Sequence, residues 1–255
     1  METSSQALPR LPRTSDFLPS IQLEIIPPPK DQAPLNVLLL FHGLGDNEKP
    51  FARLGQQLNL PYTVCISIRG PTPVPALFTG SDAPSFHWGD DIIFDESTGE
   101  IDLDSSFGKA TTVILEQVIS DVLFEKCGYK PRDLVIFGFG QGGMLGLHLS
   151  MQRAELEMGG VVSIGGRLPT SSTTSTLNVK AKTPVLVLGG SRSTQLTRSA
   201  IDALKAKFAD AEYVKWAKAE DSMPKNREEM LPIMRFFARR LRSRAGVPKG
   251  AMEIV

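Results

Sequence analysis

The sequence of 255 residues has few histidines and cysteines, no excess of either charge and no long apolar run. Only three histidines occur, and none follows His148. The two cysteines, Cys65 and Cys127, are too few for a disulfide framework, so we expect a reducing compartment. Basic and acidic residues number 28 each, which leaves no positive field to attract nucleic acid. Nucleic-acid binding is therefore not expected.

The sequence predicts neither a signal peptide nor a membrane-spanning segment. No run of about 18 apolar residues exists that would span a bilayer, so no transmembrane segment is expected. The first residues contain no continuous apolar stretch typical of a signal peptide. We therefore expect a soluble, cytoplasmic protein, with a nuclear location left open. Arg10 and Arg13 lie in a leader that bears Ser and Thr, which leaves organellar targeting as an alternative to an unanchored tail.

What is present is typical of a single globular domain. The sequence is 41% hydrophobic and 22% charged, which is enough apolar material to bury a large core. We expect a domain over residues 34–242, preceded by a tail with an edge strand over 1–33 and followed by a tail over 243–255. The sequence has no internal repeat.

Short apolar runs alternate with longer segments of helical period, which predicts a mostly parallel sheet with helices on both faces, an α/β fold. The predicted strands are Ile21–Ile26, Val37–Phe41, Val64–Ile68, Leu134–Phe137, Val161–Ile164, Pro184–Leu188 and Ala211–Trp216. The predicted helices are Ser106–Lys126, Met144–Gln152, Leu196–Phe208 and Arg227–Leu241. The segment Gly70–Pro84 is expected to be an irregular covering loop, and Thr170–Thr176 an exposed loop.

Motifs at the ends of two predicted strands resemble those of one enzyme family. The turn Phe41–Asp46 reads FHGLGD, and the strand-to-helix corner Gly138–Gly143 reads GFGQGG. Weaker similarity lies in Pro84–Asp90 and Gly160–Ser163. Together these segments resemble the phospholipase/carboxylesterase family, which includes acyl-protein thioesterases, over about Asn36–Leu241. The resemblance implies an α/β-hydrolase fold.

In that family a serine at the corner attacks a carbonyl, a histidine takes its proton and an aspartate orients the histidine. The family's corner reads Gly-Phe-Ser-Gln-Gly-Gly, whereas position 140 here is Gly, which has no atom able to attack. The aspartate position falls on Ser193 and the histidine position on Asp221, the latter with a register open within 221–223. Since no histidine follows His148, no register restores a base. The resemblance thus implies three vestigial triad positions.

Other residues are candidates for binding. By the resemblance, the amides of Leu44 and Gln141 form an oxyanion-hole-like or ligand-binding pair, and His87 and Trp88 line a pocket under the covering loop. His42 is expected to anchor the signature turn Phe41–Asp46. No cluster of metal ligands is recognised, so no metal and no cofactor is expected.

The remaining motifs offer alternatives. Ser191 or Ser193 could replace the missing nucleophile, and Asp221 could act as a base for water. His148 is expected to be an ordinary helical residue. The basic run of Arg239, Arg240, Arg242 and Arg244 is either a solvated face or a partner site.

Three functions follow from these observations. The leading hypothesis is a non-hydrolytic member of the family, a pseudoenzyme that binds an acyl or small carbonyl ligand or a protein partner. The alternative is a carboxylesterase or acyl-protein thioesterase with a relocated or reduced catalytic set. A third is a scaffold in which bulky side chains fill the space between Leu44, Gly140 and His87. The oligomeric state is not predicted.

Overall fold

A computed structural model describes residues 8–79, 83–94, 101–104, 106–173 and 179–244. Its strands are β1 (Leu23–Ile26), β2 (Asn36–Phe41), β3 (Thr63–Ile68), β4 (Thr72–Val74), β5 (Ser85–His87), β6 (Ile93–Phe94), β7 (Ile101–Asp102), β8 (Leu134–Phe139), β9 (Gly160–Ile164), β10 (Val185–Gly189) and β11 (Ala211–Lys215). Each strand predicted from an apolar run is present, with ends shifted by at most two residues. Strand prediction from apolar runs thus succeeded for the central sheet.

The four predicted helices are present, and the described residues contain three further helices that were not predicted. In chain order the helices are α1 (Glu48–Leu58), α2 (Ala76–Thr79), α3 (Gly108–Thr111), α4 (Gln141–Gln152), α5 (Thr170–Thr173), α6 (Arg198–Lys207) and α7 (Arg227–Arg240). Helix α3 continues as a π-helical segment, Thr112–Lys126. At its end the Cys127 N–H donates to the Val122 carbonyl, five residues earlier, at 2.9 Å, which is the spacing of a π-helix. Short 3₁₀ turns lie at Thr14–Asp16 and Pro131–Asp133. Within the described residues, no helix is long and apolar enough to cross a bilayer.

Seven strands form the main sheet in the order β1-β3-β2-β8-β9-β10-β11. All neighbouring pairs are parallel except β1 with β3, which is antiparallel at the edge. The mostly parallel α/β architecture is therefore confirmed. In such a sheet, ligands bind at the carboxyl ends of the strands, which here places attention on the loops after β2, β8, β10 and β11.

Strand β2 shows why the apolar runs are continuous. Val37, Leu39 and Phe41 belong to the core cluster on one face of the sheet, and Leu38 and Leu40 belong to the cluster on the other face. Successive side chains point to opposite faces, so a strand covered on both sides must be apolar at every position. Helices thus cover both faces of the sheet.

Two loop predictions were wrong. The segment Gly70–Pro84 contains β4 and α2, because β4 pairs with β5, a contact that the local sequence does not reveal. The described part of Thr170–Thr176 forms α5, and Ser172 is only 3% exposed because its hydroxyl contacts a buried histidine. The end of that loop, 174–176, lies outside the described residues.

The two ends of the chain contact the domain where they are described. The Arg10 N–H donates to the Cys127 carbonyl at 3.0 Å and Phe17 is buried, so residues 10–17 are not the unanchored tail that was expected. In the basic run, Arg239 pairs with Glu212. Arg240 lies 2.8 Å from Glu157, and Arg242 lies 3.1 Å from Asp133. The run is therefore largely paired within the molecule. The predicted domain boundaries stay a prediction.

Candidate active-site region

The corner between β8 and α4 is a sharp strand-to-helix turn centred on Gly140. Gly140 has φ +50° and ψ −119°, a region that costs a residue with a side chain about 1–3 kcal/mol. Its N–H donates to the Ile164 carbonyl at 2.8 Å, and its carbonyl accepts from the Met144 N–H at 3.0 Å. The corner is thus fixed between β9 and the first turn of α4, with glycine relieving the backbone strain.

The glycines of this corner differ in how much room each has for a side chain. A Cβ placed on Gly140 would meet no heavy atom within 4 Å. A Cβ on Gly138 would instead lie 2.4 Å from the carbonyl carbon of Gly142, and one on Gly142 would lie 2.4 Å from the His42 carbonyl oxygen. The backbone at Gly138 and Gly142 is therefore packed tightly against α4 and the end of β2, whereas no described atom lies near the Cβ position of Gly140.

His42 fixes the signature turn, as predicted. Its Nε2 accepts a hydrogen bond from the Gly70 N–H at 2.8 Å, so its Nδ1 carries the proton and donates to the Gly43 carbonyl at 2.7 Å. The ring is fully buried, and burial lowers the pKa of His42. Both nitrogens are occupied by backbone groups, which fits a structural role.

The predicted amide pair lies where the turn and the corner meet. Among the described backbone contacts, neither the Leu44 nor the Gln141 N–H donates to another peptide group. Gln141 is the first residue of α4, where N–H groups have no partner inside the helix. The Gln141 amide is therefore an available donor at a helix N-terminus and the Leu44 amide is one in the signature turn, and their role in binding stays a prediction.

Trp88 and Gln141 connect the covering strand β5 to the corner. The Trp88 N–H donates to the Gln141 side-chain oxygen at 2.8 Å, and the Trp88 indole N–H donates to the His42 carbonyl at 2.8 Å. The indole is completely buried, with its ring centroid 5.0 Å from that of Phe41. Its observed contacts hold the turn in place, and a direct contact with a ligand stays a prediction.

His87, the residue before Trp88, has no such partners. Its side chain is 1% exposed, yet neither ring nitrogen has a hydrogen-bond partner among the described residues. Burial, followed by the charge of Lys109, lowers the pKa of His87. An unpaired buried polar group costs about 1–3 kcal/mol, so its presence calls for an explanation.

The structure brings two of the vestigial positions, Ser193 and Asp221, into direct contact. Asp221 Oδ2 accepts a hydrogen bond from the Ser193 hydroxyl at 2.6 Å, and Oδ1 accepts from the Gly190 N–H at 2.8 Å. The Ser193 hydroxyl in turn accepts from the Leu196 N–H at 3.0 Å. The carboxylate thus joins the loop after β10 to the loop after β11.

The backbone that follows β9 lies between Asp221 and the corner. A Cβ on Gly165 would lie 2.8 Å from Asp221 Cβ, and a Cβ on Gly166 would lie 2.5 Å from the Gly140 carbonyl oxygen. Two consecutive glycines therefore run between Asp221 and Gly140. All three vestigial positions lie at one edge of the sheet.

Comparison with known proteins identifies the family of this chain. The sequence profile of the Phospholipase/Carboxylesterase family matches residues 22–241. The chain belongs to this family. An uncharacterized hydrolase of Schizosaccharomyces pombe is 37% identical over 139 residues, which is 54% of this chain and 56% of that protein. The chain spans about half the length of the curated relatives it matches.

Solved structures share the fold of this family. Acyl-protein thioesterase 2 of Zea mays has a TM-score of 0.60 at 19% identity, covering 86% of this chain and 98% of that one. SOBER1 of Arabidopsis thaliana has a TM-score of 0.62 at 22% identity, covering 81% of this chain and 99% of that one. At these identities the likeness establishes the α/β-hydrolase fold alone.

One serine–histidine hydrogen bond lies within the described residues, away from the family's corner. The Ser172 hydroxyl lies 2.7 Å from His148 Nδ1, and the Phe107 ring lies 5.7 Å from the imidazole. Both residues are buried, and burial lowers the pKa of His148. Sequence reasoning missed Ser172, because nothing local predicts a contact across 24 positions.

The structure gives no support to Ser191 or Ser193 as a replacement nucleophile. The Ser191 hydroxyl contacts the Ala217 carbonyl at 3.5 Å, not a base, and Ser193 is bound to a carboxylate rather than to an imidazole. Across the described ranges, no group of three or more His, Cys, Asp or Glu side chains could hold a metal ion.

Proposed function

We propose that this chain is a non-hydrolytic member of the Phospholipase/Carboxylesterase family that binds an acyl or small carbonyl ligand at the β8–α4 corner. The observation that carries the proposal is the open space above Gly140, where a Cβ would meet nothing within 4 Å. Among the described residues, no side chain lies within 4 Å of that Cβ position, which argues against a scaffold plugged at the corner. A glycine there has no nucleophile, so a bound carbonyl is held without being attacked.

The surrounding groups suit a carbonyl oxygen. The free amides of Leu44 and Gln141 are donors, and the positive end of the α4 dipole favours a partial negative charge. The buried imidazole of His87 has no described partner, and a ligand that supplied one would remove its desolvation penalty. The alternative is that the same non-hydrolytic chain binds a protein partner at this corner instead of a small ligand.

The test is hydrolysis of a short-chain p-nitrophenyl ester and of an acyl-N-acetylcysteamine thioester, with fluorophosphonate labelling in parallel. We expect no turnover above the buffer rate and no labelling, together with saturable binding of the thioester measured by NMR. Turnover or stoichiometric labelling would contradict the proposal. Binding of neither probe would favour the protein partner.

Substitution at the corner sharpens this test. Gly140→Ser alone should leave the rate near background, since the family's histidine position is Asp221 here and no imidazole lies there to take the serine proton. The triple change Gly140→Ser, Ser193→Asp and Asp221→His places a triad on three positions that share one edge of the sheet. We expect measurable hydrolysis from the triple variant only. A large gain from Gly140→Ser alone would show that a base is already present.

The Ser172–His148 pair supports a second candidate, a carboxylesterase or thioesterase with a relocated catalytic set. A hydroxyl 2.7 Å from an imidazole nitrogen satisfies the geometry of an activated nucleophile. Against it, the two residues are only 3% and 8% exposed. Fluorophosphonate labelling that maps to Ser172 and disappears in Ser172→Ala would establish this candidate.

A further inference from the structure

A second cavity lies beside the corner and shares no residue with the amide pair or with His87. It occupies about 450 Å³ between α1, the end of β8 and the loop that leads into α7. That volume is in the range of small-molecule sites, about 300–1,000 Å³. Nothing proposed above depends on it.

The walls of this cavity are apolar. They include Phe51, Leu54, Phe139, Met223, Pro224 and Met230. The Phe51 and Phe137 rings at its base are buried and lie 6.4 Å apart, so the base is fixed by the core. Methionine side chains adapt to ligand shape. The walls suit a hydrocarbon body.

One rim of the cavity carries hydrogen-bond donors. Arg53 and Gln57 are four residues apart on α1 and therefore lie on the same face, where both are exposed. Neither side chain has an ion pair or hydrogen bond in the described part of the chain, whereas Arg69 and Arg167 are each bound to a carboxylate. A guanidinium binds a carboxylate through two parallel hydrogen bonds.

A negative charge also lines the cavity, just before α1 begins. Asp46 lines the cavity beside the signature turn, and its Oδ1 accepts the Asn47 N–H at 2.8 Å. This carboxylate repels an anion, which places an anionic head at the Arg53 and Gln57 rim. The hydrocarbon body then lies over Leu54 and Phe139.

We infer that this groove, between α1 and α7, binds a carboxylate with a hydrocarbon body. The inference is independent of the proposed function, because Gly140, Leu44 and Gln141 do not line the groove. Loss of carbonyl binding at the corner would leave it standing.

The test measures decanoate binding by NMR of the full chain labelled at methionine methyl groups. Met223 and Met230 line the groove, whereas Met151 and Met158 belong to the other face of the sheet and serve as internal controls. We expect saturable shifts of Met223 and Met230 only. Decanol and decyltrimethylammonium should both bind more weakly than decanoate.

Variants then separate the head from the body of the ligand. Arg53→Gln should weaken decanoate binding about threefold to tenfold and leave decanol binding unchanged, because only the charged contact is lost. Arg198→Gln, an exposed arginine on α6, is the matched control and should change neither. Leu54→Trp should fill the groove and abolish binding of both decanoate and decanol.

Two results would overturn the inference. One is the absence of saturable decanoate binding below its micelle concentration by the unmodified chain. The other is decanoate binding that shifts the control methionines or is equally tight in Arg53→Gln. Because Arg53 is exposed, its replacement keeps the fold, so a failure cannot be assigned to unfolding.

Discussion

The β8–α4 corner and the two loops after β10 and β11 lie together at the carboxyl ends of the strands, but different interactions fix their positions. At the corner, backbone atoms press against one another beneath Gly140, and His42 bonds only to peptide groups. In the two loops, a side-chain carboxylate and a hydroxyl provide the link, Asp221 with Ser193. The packed backbone of the corner therefore has no room for an added carbon at Gly138 or Gly142. The two loops instead depend on one hydrogen bond between side chains, which a substitution can remove.

The largest expected effect comes from adding one carbon beneath the corner. Gly138→Ala should lower the free energy of unfolding by about 3 kcal/mol, because its Cβ would lie 2.4 Å from the Gly142 backbone, which cannot move away. Urea unfolding followed by circular dichroism measures the change. Gly45→Ala is the control: Gly45 has φ +84° but open surroundings, so about 1 kcal/mol of backbone strain is expected. Equal losses at both positions would refute the close-packing account.

A smaller effect is expected in the loops. Asp221→Ala removes two hydrogen bonds and leaves the Gly190 N–H without its acceptor, which should cost about 2 kcal/mol. Ser193→Ala removes a single side chain from the same network and should cost about 1 kcal/mol. The double variant should cost less than the sum, because the two residues share a bond. Strict additivity in a double-mutant cycle would show that the contact contributes nothing.

The smallest expected effect is a dependence of stability on pH. Burial lowers the pKa of His42, His87 and His148 in the folded chain, so below about pH 6.5 the unfolded chain binds more protons. Their contribution to stability is present above that pH and is lost as the pH falls. Urea unfolding at pH 7.5 and 5.5 should show lower stability at pH 5.5.

The variant His87→Phe measures how much of this pH dependence of stability comes from His87. It removes one titrating group without breaking a described hydrogen bond, so the difference between the two pH values should shrink. Glu48, whose pKa is lowered by its hydrogen bonds from Arg69, loses its contribution only below about pH 4.3 and does not interfere. Greater stability at pH 5.5 than at 7.5 would contradict the prediction.

Prediction from the sequence succeeded where a pattern is local. Val37–Phe41 and Leu134–Phe137 are recognisable as strands because burial on both faces requires apolar residues at every position. It failed at β4 and α5, since each is stabilised by a distant partner, β5 for the first and His148 for the second. The free amide of Gln141 follows from its place after a strand and before a helix, so that part of the site was within reach of sequence reasoning.

The sequence by itself determined the sheet, the signature turn and the absence of a hydroxyl at position 140, because these depend on residue type and period. Only the tertiary structure decided that Ser193 contacts Asp221, that no described atom lies within 4 Å of a Cβ on Gly140 and that His87 is buried without a described partner. These facts arise from side chains and loops brought together from distant parts of the chain. Residue spacing carries no information on them.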